Sequence, residues 1–334
     1  MDAVNLIVKR QVKKPVKTMY LYHQEGDSGV SYPEMVLALG YFDGVHRGHQ
    51  EVIRTAREIA SIKGKALGVM TFHPHPKTVL SSKVKEENMR YITPLPEKEE
   101  QLSKEQADYL FIVHFDKLFA ALEPQEFVDQ YVIGLHAVHV VAGFDFSYGR
   151  MGKGTMETLP FHSRKKFEQT TVGKVTDKDQ KISSTLIKES ILEGKIENAN
   201  RLLGRSYSIG GKVVEGEQRG RTIGFPTANV QINEPYLVPA VGVYAVQMKI
   251  RNAWYNGVCN IGYKPTFHDE KSPNPEIEVH LFDFNEDIYG ENVIVHWHAF
   301  IRGEKKFSSA EELVEQISQD KEKAKCILQS SLAP

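Results

Sequence analysis

Met35-Val36-Leu37-Ala38-Leu39-Gly40-Tyr41-Phe42-Asp43-Gly44-Val45-His46-Arg47-Gly48-His49 is the stretch on which the fold turns. Its five leading apolar residues read as a strand. Beyond the turn, Val52, Ile53, Ala56, Ile59 and Ala60 fall on one helical face. Strand, tight turn and helix start therefore follow one another within fifteen residues. A helix start offers free backbone N–H groups and the positive end of the dipole, so an anion is the natural guest.

Working outward, Ala66 to Phe72 reads as a second strand, and His73-Pro74-His75-Pro76 ends it because proline cannot continue a central ladder. Glu97 to Ala107 is helical in character, Tyr109 to Phe115 a strand, Pro124 to Leu135 a helix with proline at its start, and Ala137 to Ala142 a strand. Alternating strands and helices predict a parallel sheet with ligands at the carboxyl ends of its strands. Both the histidine turn and Gly143-Phe144-Asp145-Phe146 leave strands at such ends. Arg150 to Lys181, rich in glycine and charge, reads as loops and short strands at the domain edge. Ile182-Ser183-Ser184-Thr185 then leads into a helical stretch from Leu186 to about Leu203, with Ser183 or Ser184 as N-cap.

From Tyr207 the character changes. Lys212 to Val214, Ala228 to Ile232, Gly242 to Ile250, Trp254 to Asn260, Ile277 to Phe284 and Asn292 to Arg302 are short, β-rich and separated by Gly, Pro or Asn turns, with no helix expected among them. An antiparallel barrel or sandwich is predicted. Leu313, Val314, Ile317, Ala324, Ile327 and Leu328 recur at helical spacing behind Ser308-Ser309, so one helix closes the chain. The reading is an α/β N-terminal domain, residues 1–188, and an antiparallel β-barrel domain with a closing C-terminal helix, residues 189–334.

Composition excludes some functions. The 334 residues carry 42 basic and 43 acidic side chains, a net charge of −1, which points away from a nucleic-acid partner. Two distant cysteines, Cys259 and Cys326, support neither a disulfide framework nor a cysteine-rich metal site. The apolar patch Val4 to Val8 is too short for a leader, and no apolar run approaches the roughly 18 residues of a spanning helix, so a cytoplasmic protein with no membrane partner is expected.

Three stretches carry candidate chemistry. In the first, His46 and His49 supply donors at the helix start and Gly48 lets the backbone approach phosphate, which suits in-line nucleotidyl transfer. No Walker loop and no G-x-G-x-x-G follows any strand, so phosphate binding must use something else. The second sets Ser183, Ser184 and Thr185 at a helix start with the cation Lys188 one turn later. The third, Arg219 to Asn229, precedes a strand with glycines, arginines and the Thr227 and Asn229 oxygens, which suit a phosphate and a hard cation such as Mg²⁺. Glu278 and His280 share one strand face, and Glu278 is a candidate general base for a hydroxyl.

Together these stretches resemble the prokaryotic bifunctional riboflavin kinase and FMN adenylyltransferase (FAD synthetase) family. Phe42-Asp43-Gly44-Val45-His46-x-Gly48-His49, Phe-x-Pro74-His75-Pro76, Gly143-x-Asp145-Phe146, Ile182-Ser183-Ser184-Thr185, Gly224-Phe225-Pro226-Thr227-Ala228-Asn229, Gly242-Val243-Tyr244 and Glu278-x-His280 occur in the family's order. The resemblance implies a Rossmann-like nucleotidylyltransferase domain. There His46 and His49 bind ATP phosphates and stabilise AMP transfer to FMN, with Gly48, Asp145, Ser184, Thr185 and Lys188 at the nucleotide and Pro74, His75 and Pro76 near the flavin. It implies a riboflavin kinase barrel with Gly224, Thr227 and Asn229 at Mg²⁺–ATP and Glu278 taking the proton of the riboflavin hydroxyl. ATP, Mg²⁺, riboflavin, FMN and FAD are the implied ligands. An alternative has one domain catalytic and the other a flavin-binding or regulatory module. Tyr41, Arg47, His73 and Lys188 depart from the residues usual in the family, namely Asn, an apolar residue, an acidic residue and Arg.

Overall fold

Met35–Leu39 forms a strand whose every residue is buried. Met35, Leu37 and Leu39 join one core cluster and Val36 and Ala38 another, so the strand is covered on both faces. A computed structural model of the chain describes residues 15–23, 31–81, 83–217, 219–263 and 275–330; the Val4 to Val8 patch lies outside them. Two compact units emerge. One comprises the described residues of Met1–Val45, His49–Glu86 and Leu95–Lys174; the other those of His46–Gly48, Glu87–Pro94 and Val175–Pro334.

The first stretch of chain contains β1 (Lys17–Leu21), β2 (Met35–Leu39), β3 (Ala66–His73), β4 (Tyr109–His114), β5 (Ala137–Gly143), the short pair β6 (Ser147–Tyr148) and β7 (Gly154–Thr155), and β8 (Glu168–Val172). Its helices are α1 (Arg47–Lys63), α2 (Pro76–Leu80), α3 (Leu95–Lys104), α4 (Lys117–Ala121), α5 (Pro124–Phe127) and α6 (Leu159–Ser163). Six strands pair in the order β1-β4-β3-β2-β5-β8, all parallel. Strand order reverses beside β2, between β3 and β5, so the turn after β2 and the loop after β5 flank the crevice where such sheets bind ligands.

Two edge strands extend the expected sheet. β1 is half-exposed and was not signalled by periodicity, and β8, with its polar Glu168-Gln169-Thr170-Thr171, lies in the stretch read as loops and short strands at the domain edge. An edge strand needs only one paired side. The helix expected over Pro124 to Leu135 is α5 for four residues and then a wider π-wound turn over Val128–Ile133, closed by the Gly134 N–H on the Asp129 carbonyl at 2.9 Å.

The remainder contains the hairpin β9 (Thr176–Asp177) and β10 (Gln180–Lys181), α7 (Ser184–Leu192), α8 (Ile196–Leu203), β11 (Tyr207–Val214), α9 (Arg219–Thr222), β12 (Ala228–Ile232), β13 (Gly242–Ile250), β14 (Ala253–Gly262), β15 (Glu276–Leu281), β16 (Asn292–Arg302) and α10 (Ala310–Ser330). The stretch read as one helix to Leu203 is two, α7 and α8, broken at Glu193 to Lys195. A short helix, α9, does interrupt the β segments, contrary to expectation. The six long strands close as a barrel, β11-β12-β15-β14-β13-β16, because β11 pairs with both β12 and β16.

Trp297, Tyr207, Val246, Met248 and Val295 fill the barrel interior. Residues 87–94 pack on this unit too: the Tyr91 N–H bonds the Pro235 carbonyl, the Tyr91 carbonyl takes the Leu237 N–H, both at 2.9 Å, and Ile92 is wholly buried in the barrel's core cluster. Outside the barrel, Ala324 and Leu328 of α10 pack on Val243, Ala245, Val258 and Phe282. Arg302 grips the buried Asp320 of α10 through Nε and Nη2, each at 2.9 Å from Oδ2.

Candidate functional site

The turn after β2 is strained. Phe42 and Val45 hold φ of +55° and +40°, conformations that cost roughly 1 to 3 kcal/mol each and persist only where neighbours impose them. The neighbours are identifiable. The Tyr41 carbonyl accepts from Thr71 Oγ1 at 2.8 Å and from Lys98 Nζ at 3.1 Å, and Gln50 Nε2 reaches back to the Val45 carbonyl at 2.9 Å. Phe42 is buried with its ring edge-on to His49, centroids 5.2 Å apart.

His46 is buried immediately before α1, and Gly48 is what makes room for it: a Cβ on Gly48 would stand 3.2 Å from Cε1 and Nδ1 of the His46 ring and 3.8 Å from the Ile182 carbonyl oxygen. The turn and the start of the Ser-Ser-Thr segment are thus neighbours. Ser183 is the N-cap of α7, its Oγ accepting from the Leu186 N–H at 3.3 Å; Ser184 is half-buried and Thr185 exposed.

Arg47 points elsewhere, to Asp177 of β9 at 3.1 Å, and the same carboxylate takes Arg201 Nε of α8 at 2.8 Å. The Arg201 hydrogen bond, and then Arg47, hold Asp177 below the usual carboxylate range against partial desolvation. Lys188 Nζ donates to the Arg90 carbonyl at 3.3 Å, so part of its hydrogen bonding goes to backbone.

In the proline loop, Pro74 is buried and follows a cis peptide bond, and His75 N-caps α2, its Nδ1 accepting from the Lys77 N–H at 3.0 Å. The Tyr41 ring meets His75 edge-on at 4.6 Å, so this loop and the histidine turn touch. Asp145 is exposed just beyond β5, its Oδ1 folded back over Gly143. Lys98 was not signalled by sequence. It is 1% exposed, and its ammonium lies 4.3 Å from the Tyr41 ring centroid.

In the barrel, register does the assembling. Asn229 of β12 and Asn260 of β14 each stand directly opposite Glu278 of β15, giving a row Asn229, Glu278, Asn260 across three strands. Directly opposed side chains lie within about 5.5 Å at Cβ. Thr227 immediately precedes β12, two residues before Asn229. Asn260 was passed over in the sequence because an isolated asparagine in a strand carries no signal. The loop after β11 crosses over Asn229 so closely that a Cβ on Gly216 would lie 2.0 Å from the Asn229 amide nitrogen. Gly224 takes a φ of +85° at the exposed turn before Phe225.

Hydroxyl and amide oxygens with a carboxylate opposite form a hard donor set that fits Mg²⁺ shared with substrate phosphates. No cluster of three His, Cys, Asp or Glu able to hold a metal occurs among the described residues. Cys259, wholly buried beside this row, has its thiol pKa pushed up by burial and then by the Glu278 charge, which makes it inert. His280 Nδ1 meets the Pro226 carbonyl at 2.9 Å.

The strand-turn-helix on a parallel sheet and the hydroxyl-plus-carboxylate row on a closed barrel are the two candidate sites of an enzyme of the transferase class, as the families its two parts match are. Residues 30–186 match the FAD synthetase family and residues 203–328 the riboflavin kinase family. The chain is 50% identical over 309 residues to the bifunctional riboflavin kinase/FMN adenylyltransferase of Bacillus subtilis, covering 92% of this chain and 97% of that protein. It is 46% identical to the protein of that name from Listeria monocytogenes, with 92% and 96% covered, and 35% identical to that from Escherichia coli K12, with 85% and 90% covered. A crystal structure described as a macrolide-efflux protein from Streptococcus pneumoniae superposes with a TM-score of 0.85 at 38% identity, over 93% of this chain and 99% of that one. Among the described residues no helix is long and apolar enough to cross a membrane. This chain belongs to the bifunctional riboflavin kinase/FMN adenylyltransferase family.

Proposed function

We propose that the protein makes FMN from riboflavin and ATP, and FAD from FMN and ATP, with the adenylyl site in residues 1–188 and the kinase site in 189–334. The observation that carries the kinase reading is the register that sets Glu278 opposite Asn229. Riboflavin presents a hydroxyl that must lose its proton as it attacks the γ-phosphorus of ATP, and a carboxylate on that face takes it. Thr227 and Asn229 hold Mg²⁺ and phosphate oxygens, and Gly224 lets the backbone approach the nucleotide. Bound there, Mg²⁺ neutralises charge on the transferring phosphoryl group.

At the sheet, a phosphate oxygen of FMN attacks the α-phosphorus of ATP and pyrophosphate leaves. His46, His49 and the start of α1 stabilise the spreading negative charge, a task of positioning and electrostatics rather than covalent chemistry. Gly48 keeps the His46 ring over the helix start. Ser184, Thr185 and Lys188 serve the triphosphate, Asp145 the nucleoside, and Pro74, His75 and Pro76 the flavin. With a net charge of −1, flavins and ATP rather than nucleic acid or membrane are the partners, and the cytoplasm is the setting.

Incubation with riboflavin, ATP and Mg²⁺ followed by separation of the flavins tests this. FMN and then FAD should accumulate; FMN without FAD overturns the adenylyl assignment, and FAD only from supplied FMN overturns the kinase assignment.

A further inference from the structure

Pro226 poses a hydrogen-bonding problem at the mouth of the barrel. β12 and β15 pair antiparallel at Ala228 with Val279 and at Asn229 with Glu278. Extended by two residues, that register would set Pro226 opposite Leu281. Proline has no N–H, so the ladder cannot continue through it. The Pro226 carbonyl belongs to the peptide that leads into Thr227, and any freedom there is freedom in the Thr227 hydroxyl.

A side chain replaces the missing rung. His280 is 9% exposed, and its Nδ1 lies 2.9 Å from the Pro226 carbonyl oxygen. A carbonyl can only accept, so Nδ1 carries the proton and donates. The ring is held against Phe225, edge-on with centroids 5.2 Å apart, and against Phe282 at 6.1 Å. Its other nitrogen, Nε2, is buried without a hydrogen-bond partner among the described residues. Leaving a buried polar atom unsatisfied costs free energy, and an apolar side chain would avoid that cost. Among the described residues, the one hydrogen bond this ring makes is with the carbonyl that leads into Thr227.

We infer that His280 is a positioning residue of the kinase site, which fixes the Pro226-Thr227 peptide through Nδ1 and thereby aims the Thr227 and Asn229 oxygens at Mg²⁺–ATP. The inference rests on the assignment of Thr227 and Asn229 proposed above. His280 touches no reacting atom; it acts through the loop.

Three replacements at one position separate this role from simple packing. Asparagine places an amide N–H where Nδ1 was, glutamine carries its amide out to the Nε2 side, and leucine fills space with no donor. Riboflavin phosphorylation is measured in the full chain as separate KM values for Mg²⁺–ATP and for riboflavin, with FAD formation from supplied FMN as the folding reference. His280→Leu and His280→Gln should each raise the Mg²⁺–ATP KM by about tenfold, the loss of one buried hydrogen bond, with the riboflavin KM little changed. His280→Asn should recover most of that loss. An unchanged Mg²⁺–ATP KM in His280→Gln, or an asparagine variant no better than glutamine, overturns the inference; if the leucine protein does not fold, that pair decides. Thr227→Ala, assayed alongside, keeps the two questions apart. If it leaves phosphorylation intact, the site assignment itself fails; if it abolishes phosphorylation while His280→Gln does nothing, only the role of His280 fails.

Discussion

Replacing Gly48 by alanine should damage one activity while leaving the fold at least as stable. The added Cβ would sit 3.2 Å from two atoms of the His46 ring, inside the 3.4–4 Å of ordinary contact, so the ring must move by a few tenths of an ångström. His46 is buried and cannot swing freely into solvent. Misplacing a reacting group by about 1 Å can cost around a hundredfold in rate, so a shift of a third of that should cost about five- to tenfold. Stability runs the other way. Gly48 is the second residue of α1 and lies outside the left-handed region, and alanine there is favoured over glycine by up to about 1 kcal/mol. The assay is FAD formation from FMN and ATP, with riboflavin phosphorylation in the same sample as reference and thermal unfolding followed in parallel. A variant with full adenylyl transfer, or one whose two activities fall together with its Tm, would refute the reasoning.

Other outcomes follow from the same geometry. His46→Ala combined with His49→Ala should abolish FAD formation and spare FMN formation, while Glu278→Gln does the reverse; flavin separation by chromatography shows it, and equal loss of both in either protein contradicts two independent sites. Arg302→Leu should lower stability by about 3 kcal/mol, read by chemical denaturation, because it leaves the Asp320 carboxylate, 1% exposed, without its guanidinium. Acid should also weaken the fold near neutrality. Burial lowers the pKa of His139 and His298 from about 6.5, so the unfolded chain binds more protons there. Their contribution is complete above 6.5 and is lost as pH falls through and below it. The denaturation midpoint should therefore drop between pH 7.5 and 5.5; a flat profile would show that these rings titrate alike in both states.

Much of the architecture was legible because local patterns carried it. A run of five apolar residues can only be a covered strand or a helix fragment, and the turn residues behind it decide between them. Ala228–Ile232, Gly242–Ile250 and Asn292–Arg302 stand where their composition places them. Strand patterning alone left barrel and sandwich open and the family resemblance implied the barrel, since closure depends on β11 meeting β16 across eighty to ninety residues. β1 was missed, and β8 was foreseen only as one of the short strands at the domain edge, because an edge strand need not be apolar on both faces. Among site residues, histidines and glycines announce themselves by spacing. Lys98 does not: a lysine in Pro96-Glu97-Lys98 reads as a solvated face, and only the fold reveals that it is buried against the Tyr41 carbonyl. The link from His280 to Pro226 spans 54 positions and has no local signature.

The carboxylate of Asp177, gripped by both Arg47 and Arg201, makes mutational tolerance lopsided. Losing either arginine leaves a neutral pair, so each position is individually replaceable. Losing the aspartate strands two like charges at the mouth of the turn. Redundancy among the cations thus coexists with intolerance at the anion, and a saturation scan would find one sharply constrained site between two permissive ones.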